Sequence, residues 1–257
     1  MKQEVRNNIE IILVEPAEPG NIGAAARAMN NMGFVHLGLV KPVPFKVSDA
    51  YKFAWNSQDI IDNAKEYKDI PEAVKDKGFV VAMSRRSSKD RGHLEVISDF
   101  VSEIHRMALK TKVGILFGCE SYGLTNEDLL YANRIVKIHT ASRFSSLNLA
   151  QAVLITCHEM LGSEGMVPDE VPEPAKSDEL EMCYEHIERV LYKIGYGTKG
   201  DRFLPQNIIR NLRRLAGRAV LDGYELQMVR GLCTQVEKAL EGLTPKPVKN
   251  EQENLLT

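Results

Sequence analysis

The stretch IILVEPAEPGNIGAAARAMNNMG, residues 11–33, carries two periodicities in succession. Residues 11–15 (IILVE), an apolar run that ends at Glu15, read as a buried strand. A Pro/Gly turn follows, and then Ile22, Ala25, Met29 and Met32 recur along one side of a helix over residues 21–32, with Asn21 suited to its N-cap and Gly33 to its end. At about 100° per residue from Arg27, those four fall between about 140° and 220°. Arg27 therefore points away from the core stripe, beside Gly23, Ala24, Asn30 and Asn31. Small neighbours leave space for something to approach its guanidinium; a solvated surface arginine fits the same pattern. Neither G-x-G-x-x-G nor G-x-x-x-x-G-K-[ST] is present in the turn, which argues against a nicotinamide enzyme or a P-loop nucleotidase.

The same alternation continues outward. Residues 34–40, 79–83, 113–117 and 134–139 read as further short strands, with helical stretches such as 98–109 and 147–161 between them. Short apolar strands separated by helices predict an α/β fold with a largely parallel sheet covered on both faces. Residues 163–178, rich in proline and acids, read as an extended linker. Beyond it Leu180, Tyr184, Ile187, Leu191 and Ile194 recur at helical spacing, 205–219 forms a second helix, and Asp222 with Glu225 opens a third. The expected division is a 1–163 α/β domain, a 164–178 linker, a 179–243 helical domain and a flexible 244–257 tail.

The 257 residues are 44% hydrophobic and 26% charged, with net charge −2, so the chain is neither collagen-like nor disordered, and no strong overall charge points to nucleic acid. No apolar run approaches the roughly 20 residues that span a bilayer, and no signal peptide is evident, so a soluble, cytoplasmic protein is expected. Cys119, Cys157, Cys183 and Cys233 are scattered with no C-x-x-C, which points to structural thiols and no metal site.

Two further segments carry candidate chemistry. ILFGCESYGLTNED, residues 115–128, is a buried strand running into a loop with two glycines, after which Thr125 and Asp128 read as a capping box opening a helix. Loops at the carboxyl ends of parallel strands are where α/β sheets bind ligands. IHTASRFSSLNLAQA, residues 138–152, leads from a strand into a helix apolar on most faces, whose free N–H groups suit a carboxylate or a base edge. A buried Asn148 there must find partners, so it ties loops together. Ser146 lacks the G-x-S-x-G context of a hydrolase nucleophile.

Together, EPAEPGNIGAAARAM, FGCESYGLTNEDL and SSLNLAQAV, with the helical tail from SDELEMCYEHIERVLYKIGY through NLRRLAGRA to VRGLCTQVEKAL, resemble the SPOUT methyltransferase superfamily, in its TrmH-type branch, and most closely the TrmJ-type tRNA 2′-O-ribose methyltransferases. The resemblance implies a five- or six-stranded parallel sheet with a C-terminal trefoil knot, S-adenosylmethionine bound bent within it, and a homodimer whose active site is completed across the interface. By position the cofactor loops are Met83, Ser84 and Arg85; Gly118; and Ile138, Ser145, Ser146 and Leu147. Arg27 matches the catalytic arginine. It acts either as the acceptor of the ribose 2′-hydroxyl proton or, since guanidinium is charged at any physiological pH, as a phosphate clamp that polarises the hydroxyl. Asn21, Glu120 and Asn148 match supporting positions that brace the loops. Cys119 stands where family members commonly carry arginine.

The expected activity is metal-independent methylation of a tRNA ribose, at nucleotide 32 of the anticodon loop. The alternatives are another tRNA or ribosomal RNA nucleotide, or an RNA-binding protein that does not catalyse. The tail supports RNA contact from its own residues. Around Arg210 as zero, Arg213, Arg214 and Arg218 lie near 300°, 40° and 80°, opposite an apolar stripe of Ile208, Leu212, Leu215 and Ala219, and such a face suits phosphates.

Overall fold

Side-chain alternation at period two decides which face of each strand meets which helices. The computed structural model describes residues 2–85, 94–141, 146–162, 173–198 and 202–243. Its strands are β1 (Ile9–Val14), β2 (His36–Val40), β3 (Lys65–Tyr67), β4 (Phe79–Met83), β5 (Glu95–Val96), β6 (Val113–Phe117) and β7 (Arg134–Lys137). The helices are α1 (Lys2–Asn7), α2 (Pro19–Asn31), α3 (Ser48–Ala54), α4 (Gln58–Asp62), α5 (Ile70–Val74), α6 (Ile97–Ala108), α7 (Leu149–Gly162), α8 (Ser177–Lys193), α9 (Leu204–Ala219) and α10 (Gly223–Leu243).

All strands pair in parallel, in the order β3-β2-β1-β6-β4-β7-β5. The chain builds outward from β1 to β3 and crosses over to β4. Later it inserts β6 between β1 and β4, and β7 between β4 and β5. Seven strands exceed the five or six implied by resemblance, because β3 and β5 close the two edges. Each is three residues or fewer, with exposed or half-buried side chains, so no apolar run announces them.

Ile9, Ile11 and Leu13, with Leu37, Leu39, Phe79, Val81, Val113 and Ile115, form one core with α2, α6 and α7. Ile12, Val14, Val40, Val80, Ala82 and Leu116 form the other, under α5, Leu124 and Leu129. Glu10 also turns to this second face. It is buried against Lys77 at 2.8 Å and accepts a 2.8 Å hydrogen bond from the Tyr67 hydroxyl. Such a charge is tolerated in the interior only because it is paired.

The helical region docks beside that ion pair. The backbone N–H and hydroxyl of Ser177 donate to the Lys77 carbonyl at 2.9 and 3.0 Å. Residues 173–178 are thus packed rather than extended: Ala175 is buried and its N–H bonds the Leu221 carbonyl at 2.8 Å. The rest of the expected linker, and residues 244–257, lie outside the described residues, as do 142–145. Ala175, Cys183 and Leu226 make a small third core with Leu180, Ile187 and Val229. Asp222 and Glu225 exchange the expected reciprocal bonds at 2.8 and 3.0 Å before α10. Thr125 and Asp128 do the same at 2.8 and 3.1 Å, but they open only a single 3₁₀ turn, Asp128–Tyr131. Among the described residues no helix is long and apolar enough to cross a membrane.

Candidate functional site

Three neighbouring strands, β6, β4 and β7, end on one edge of the sheet, and the segments leaving them converge. Met83 ends β4 and Ser84 and Arg85 follow it, Gly118 to Leu124 follow β6, and Ile138 and Thr140 follow β7. With Ser146 and Leu147, and with Leu149 and Ala152 from α7, they line one cavity. Seven of the eight expected cofactor positions therefore meet in one place; Ser145 lies outside the described residues. The lining mixes apolar walls (Met83, Leu124, Ile138, Leu147, Leu149) with hydroxyls and backbone groups, a donor set that fits a nucleoside with a flat base and a polar sugar.

The β6 loop closes on its own backbone. A Cβ on Gly118 would sit 2.1 Å from the Gly123 carbonyl carbon and 2.2 Å from the Leu124 nitrogen. Gly123 adopts φ +71° and donates to the Cys119 carbonyl at 2.7 Å. No other residue fits at Gly118, whatever ligand the loop meets. Cys119 is buried, with its Sγ 3.3 Å from the Ser121 hydroxyl. Tyr122 donates its hydroxyl to Glu15.

Glu120, Asn21 and Asn148 form a brace between loops. Glu120 accepts from the Ala17 N–H at 3.0 Å and from the Asn21 amide at 2.8 Å. The Asn148 amide donates to the Asn21 side-chain oxygen at 2.9 Å. Partial burial pushes the Glu120 carboxyl upward, but the donors from Ala17 and Asn21 outweigh it and hold it below the ordinary range. Two expectations are corrected. Asn21 is not an N-cap, because Pro19 starts the helix after Glu18 and leaves Asn21 inside the first turn, aimed at Glu120. Asn148 is exposed rather than buried, and it is itself the cap of α7, accepting from the Ala150 N–H at 2.9 Å.

Arg27 is exposed on α2 and, among the described residues, makes no hydrogen bond or ion pair. It stands six positions, about 9 Å along the axis, beyond Asn21. It is not part of the cavity lining of the single chain. Gly23 does not open a path to it: a Cβ there would lie 2.0 Å from the Ala50 carbonyl oxygen, so the glycine serves the packing of α3 on α2.

The four tail arginines separate. Arg210, Arg214 and Arg218 are exposed and line a groove of about 730 Å³ between α9 and residues 126–135, which Glu95 and Glu127 also border. Arg213 is turned inward, paired with both oxygens of Glu181 and stacked 4.4 Å from the Tyr184 ring. The face carrying it is therefore not free of acid. Sequence reasoning passed over Tyr122, Thr140 and Glu15; Tyr122 lies between the two glycines of the quoted loop, where an exposed aromatic residue was the available signal.

Comparison with known proteins agrees with this arrangement. The SpoU rRNA methylase family matches residues 8–158, and the C-terminal domain of the tRNA methyltransferase TrmJ matches residues 178–245. The tRNA (cytidine/uridine/adenosine-2′-O-)-methyltransferase TrmJ of Pseudomonas aeruginosa is 34% identical over 93% of this chain and 98% of its own. The tRNA (cytidine/uridine-2′-O-)-methyltransferase TrmJ of Escherichia coli K12 is 33% identical over 91% of this chain and 97% of its own. The crystal structure of TrmJ from Z. mobilis superposes with a TM-score of 0.76 at 34% identity, covering 89% of this chain and 98% of that one. With a cavity where the loops leaving three parallel strands meet, and a matching helical tail, the chain belongs to the SpoU family of RNA methylases, alongside the TrmJ proteins.

Proposed function

We propose that this enzyme, an RNA ribose 2′-O-methyltransferase, transfers the methyl group of S-adenosylmethionine to a 2′-hydroxyl of tRNA, at nucleotide 32 of the anticodon loop. The observation that carries the reading is the convergence of the β4, β6 and β7 loops on one cavity, braced through Glu120 and Asn21 to the helix that bears Arg27. When bound, the cofactor supplies an electrophilic methyl on sulfur. The ribose oxygen would gain that methyl as the sulfur–methyl bond breaks and would release its proton to solvent, with S-adenosylhomocysteine as the other product.

Met83, Ser84, Arg85, Gly118, Ile138, Ser145, Ser146 and Leu147 would hold the cofactor. Arg27 would fix the ribose and its phosphate with a two-pronged donor and polarise the hydroxyl; this is orientation and electrostatics rather than metal chemistry. Asn21, Glu120 and Asn148 would keep the loops in register. Arg210, Arg214 and Arg218 would contact RNA phosphates; Arg213, engaged by Glu181, is left out of that set.

A homodimer that brings Arg27 to the cavity of its partner is supported by unpartnered apolar surface. Leu154 is exposed on α7, and Tyr224, Met228, Leu232 and Val236 form an exposed stripe along α10, with Leu232 63% accessible. A tRNA substrate places the protein in the cytoplasm.

The test is mass spectrometry of nuclease-digested tRNA after incubation with S-adenosylmethionine. Wild type yields a 2′-O-methylated nucleoside mapping to position 32, and Arg27→Ala yields none above background. Methylation of ribosomal RNA alone would replace the substrate, and tight cofactor binding without transfer would leave a binding protein.

A further inference from the structure

We infer that Tyr122 is a substrate-binding residue whose ring forms the stacking face for the base of the nucleotide being methylated. This rests on the methyltransferase reading above. Tyr122 lines the cavity yet is 42% exposed, so it stands at the mouth rather than in the interior. Gly118 packs against the Gly123–Leu124 backbone so closely that the loop has no room for a further side chain between them.

The ring is also held. Its hydroxyl donates to Glu15, the residue that follows β1 and begins the turn into the Arg27 helix. Glu15 takes φ +51°, and Lys41, 3.6 Å from its carboxylate at the end of neighbouring β2, takes φ +45°. Non-glycine residues in the left-handed region cost strain, and such strain clusters at functional sites. An anchored hydroxyl takes the polar edge of Tyr122 out of competition and leaves a fixed aromatic face. It stands at the mouth of the cavity, where a nucleotide approaching the bound cofactor would meet it. Single-stranded RNA bases bind by stacking on such rings.

The test pairs Tyr122→Ala and the volume-matched Tyr122→Leu with two RNAs: an anticodon stem-loop carrying the base at the mapped target, and the same stem-loop with an abasic ribose there. On the intact RNA both variants lose about tenfold or more in kcat/KM, mainly through KM, with the affinity for S-adenosylhomocysteine within about twofold of wild type. On the abasic RNA the variants and wild type react alike. Tyr122→Phe, which keeps the ring, stays within about threefold on both. The inference is overturned if wild type and variants discriminate equally between the two RNAs, or if cofactor affinity falls in step with activity. It is also overturned if Tyr122→Phe is as poor as Tyr122→Ala, since the hydroxyl brace would then be the whole role. A wild type that methylates no RNA defeats the methyltransferase reading itself, a result distinct from any of these.

Discussion

A guanidinium keeps its proton throughout the physiological range, so under the proposed reaction Arg27 contributes donors and charge rather than a vacant base. Its fork holds two oxygens in one plane, which a lysine ammonium does not reproduce. Arg27→Lys is therefore expected to lose at least about a hundredfold in kcat, comparable to removing one preorganised donor, with cofactor affinity unchanged by calorimetry. Equal activity of the lysine variant would show that charge alone suffices. Glu120 lends itself to a titration. Its carboxyl is held below the ordinary value near about 4.3, so its bonds to Ala17 and Asn21 stabilise the fold fully above that value. The stabilisation drains as pH falls through the lower folded value. Melting scans from pH 7 down to 3 should show wild type losing its advantage over Glu120→Gln in the acid limb, and a constant gap would refute this. The brace of Asn21, Glu120 and Asn148 was legible in the sequence because each sits in a quoted motif. What was not legible was direction: Asn21 reads as a cap by residue type, and only the start of α2 at Pro19 turns it toward Glu120.

The helix α9 shows how an amphipathic pattern misleads. Its apolar stripe predicts burial of Ile208, Leu212, Leu215 and Ala219, yet Leu215 is 55% exposed. The buried row is instead Pro205, Ile209 and Gly217, with Arg213 between them. The cause is polar and steric. A Cβ on Gly217 would stand 3.3 Å from the Asn133 backbone, so α9 approaches closely there. Arg134 then donates to the Gly217 and Arg218 carbonyls at 2.6 and 3.0 Å, satisfying acceptors near the helix end. Arg213 fills the contact with its stem and ring stacking, Glu181 neutralises it, and this pair holds the guanidinium above its ordinary value against the burial that lowers it. Periodicity cannot anticipate a buried arginine, because its partners come from other elements. Two variants separate the roles. Arg213→Ala should destabilise by about 2 kcal/mol, by loss of a largely buried pair and its ring contact, read as a drop in Tm. The triple variant Arg210→Ala, Arg214→Ala, Arg218→Ala should leave Tm nearly intact while lowering the salt slope of tRNA binding by about 2 to 3. The reverse pattern would return Arg213 to the RNA face.

The whole molecule joins a parallel sheet to a helical tail, and the join is made at a buried charge. The strand count at the centre of the sheet is legible from apolar runs at β1, β2, β4, β6 and β7; the order is not, because the insertion of β6 and β7 between earlier strands is a long-range event. Nor does any pattern reveal Lys77, which is 1% exposed in the folded chain. Its ammonium bridges Glu10 and Asp76 while its carbonyl receives both donors of Ser177 at the start of α8. Burial raises the Asp76 carboxyl, but Lys112 and Lys77 outweigh that and bring it down to about 2. A carboxyl so depressed stabilises the fold at all pH values above its ordinary one and loses hold only as pH falls toward about 2. Removing one partner leaves a charge unpaired in the interior. Lys77→Met is therefore expected to cost about 3–5 kcal/mol in denaturant unfolding. The double variant Lys77→Met, Glu10→Gln carries no unpaired charge at Glu10 and should recover more than half of that loss. Full recovery would mean that the pair adds no net stability and that its worth lies in fixing where α8 meets the sheet. No recovery would mean that Asp76, left facing Lys112 alone, is the group that suffers, and Asp76→Asn added to the double variant would then restore the difference.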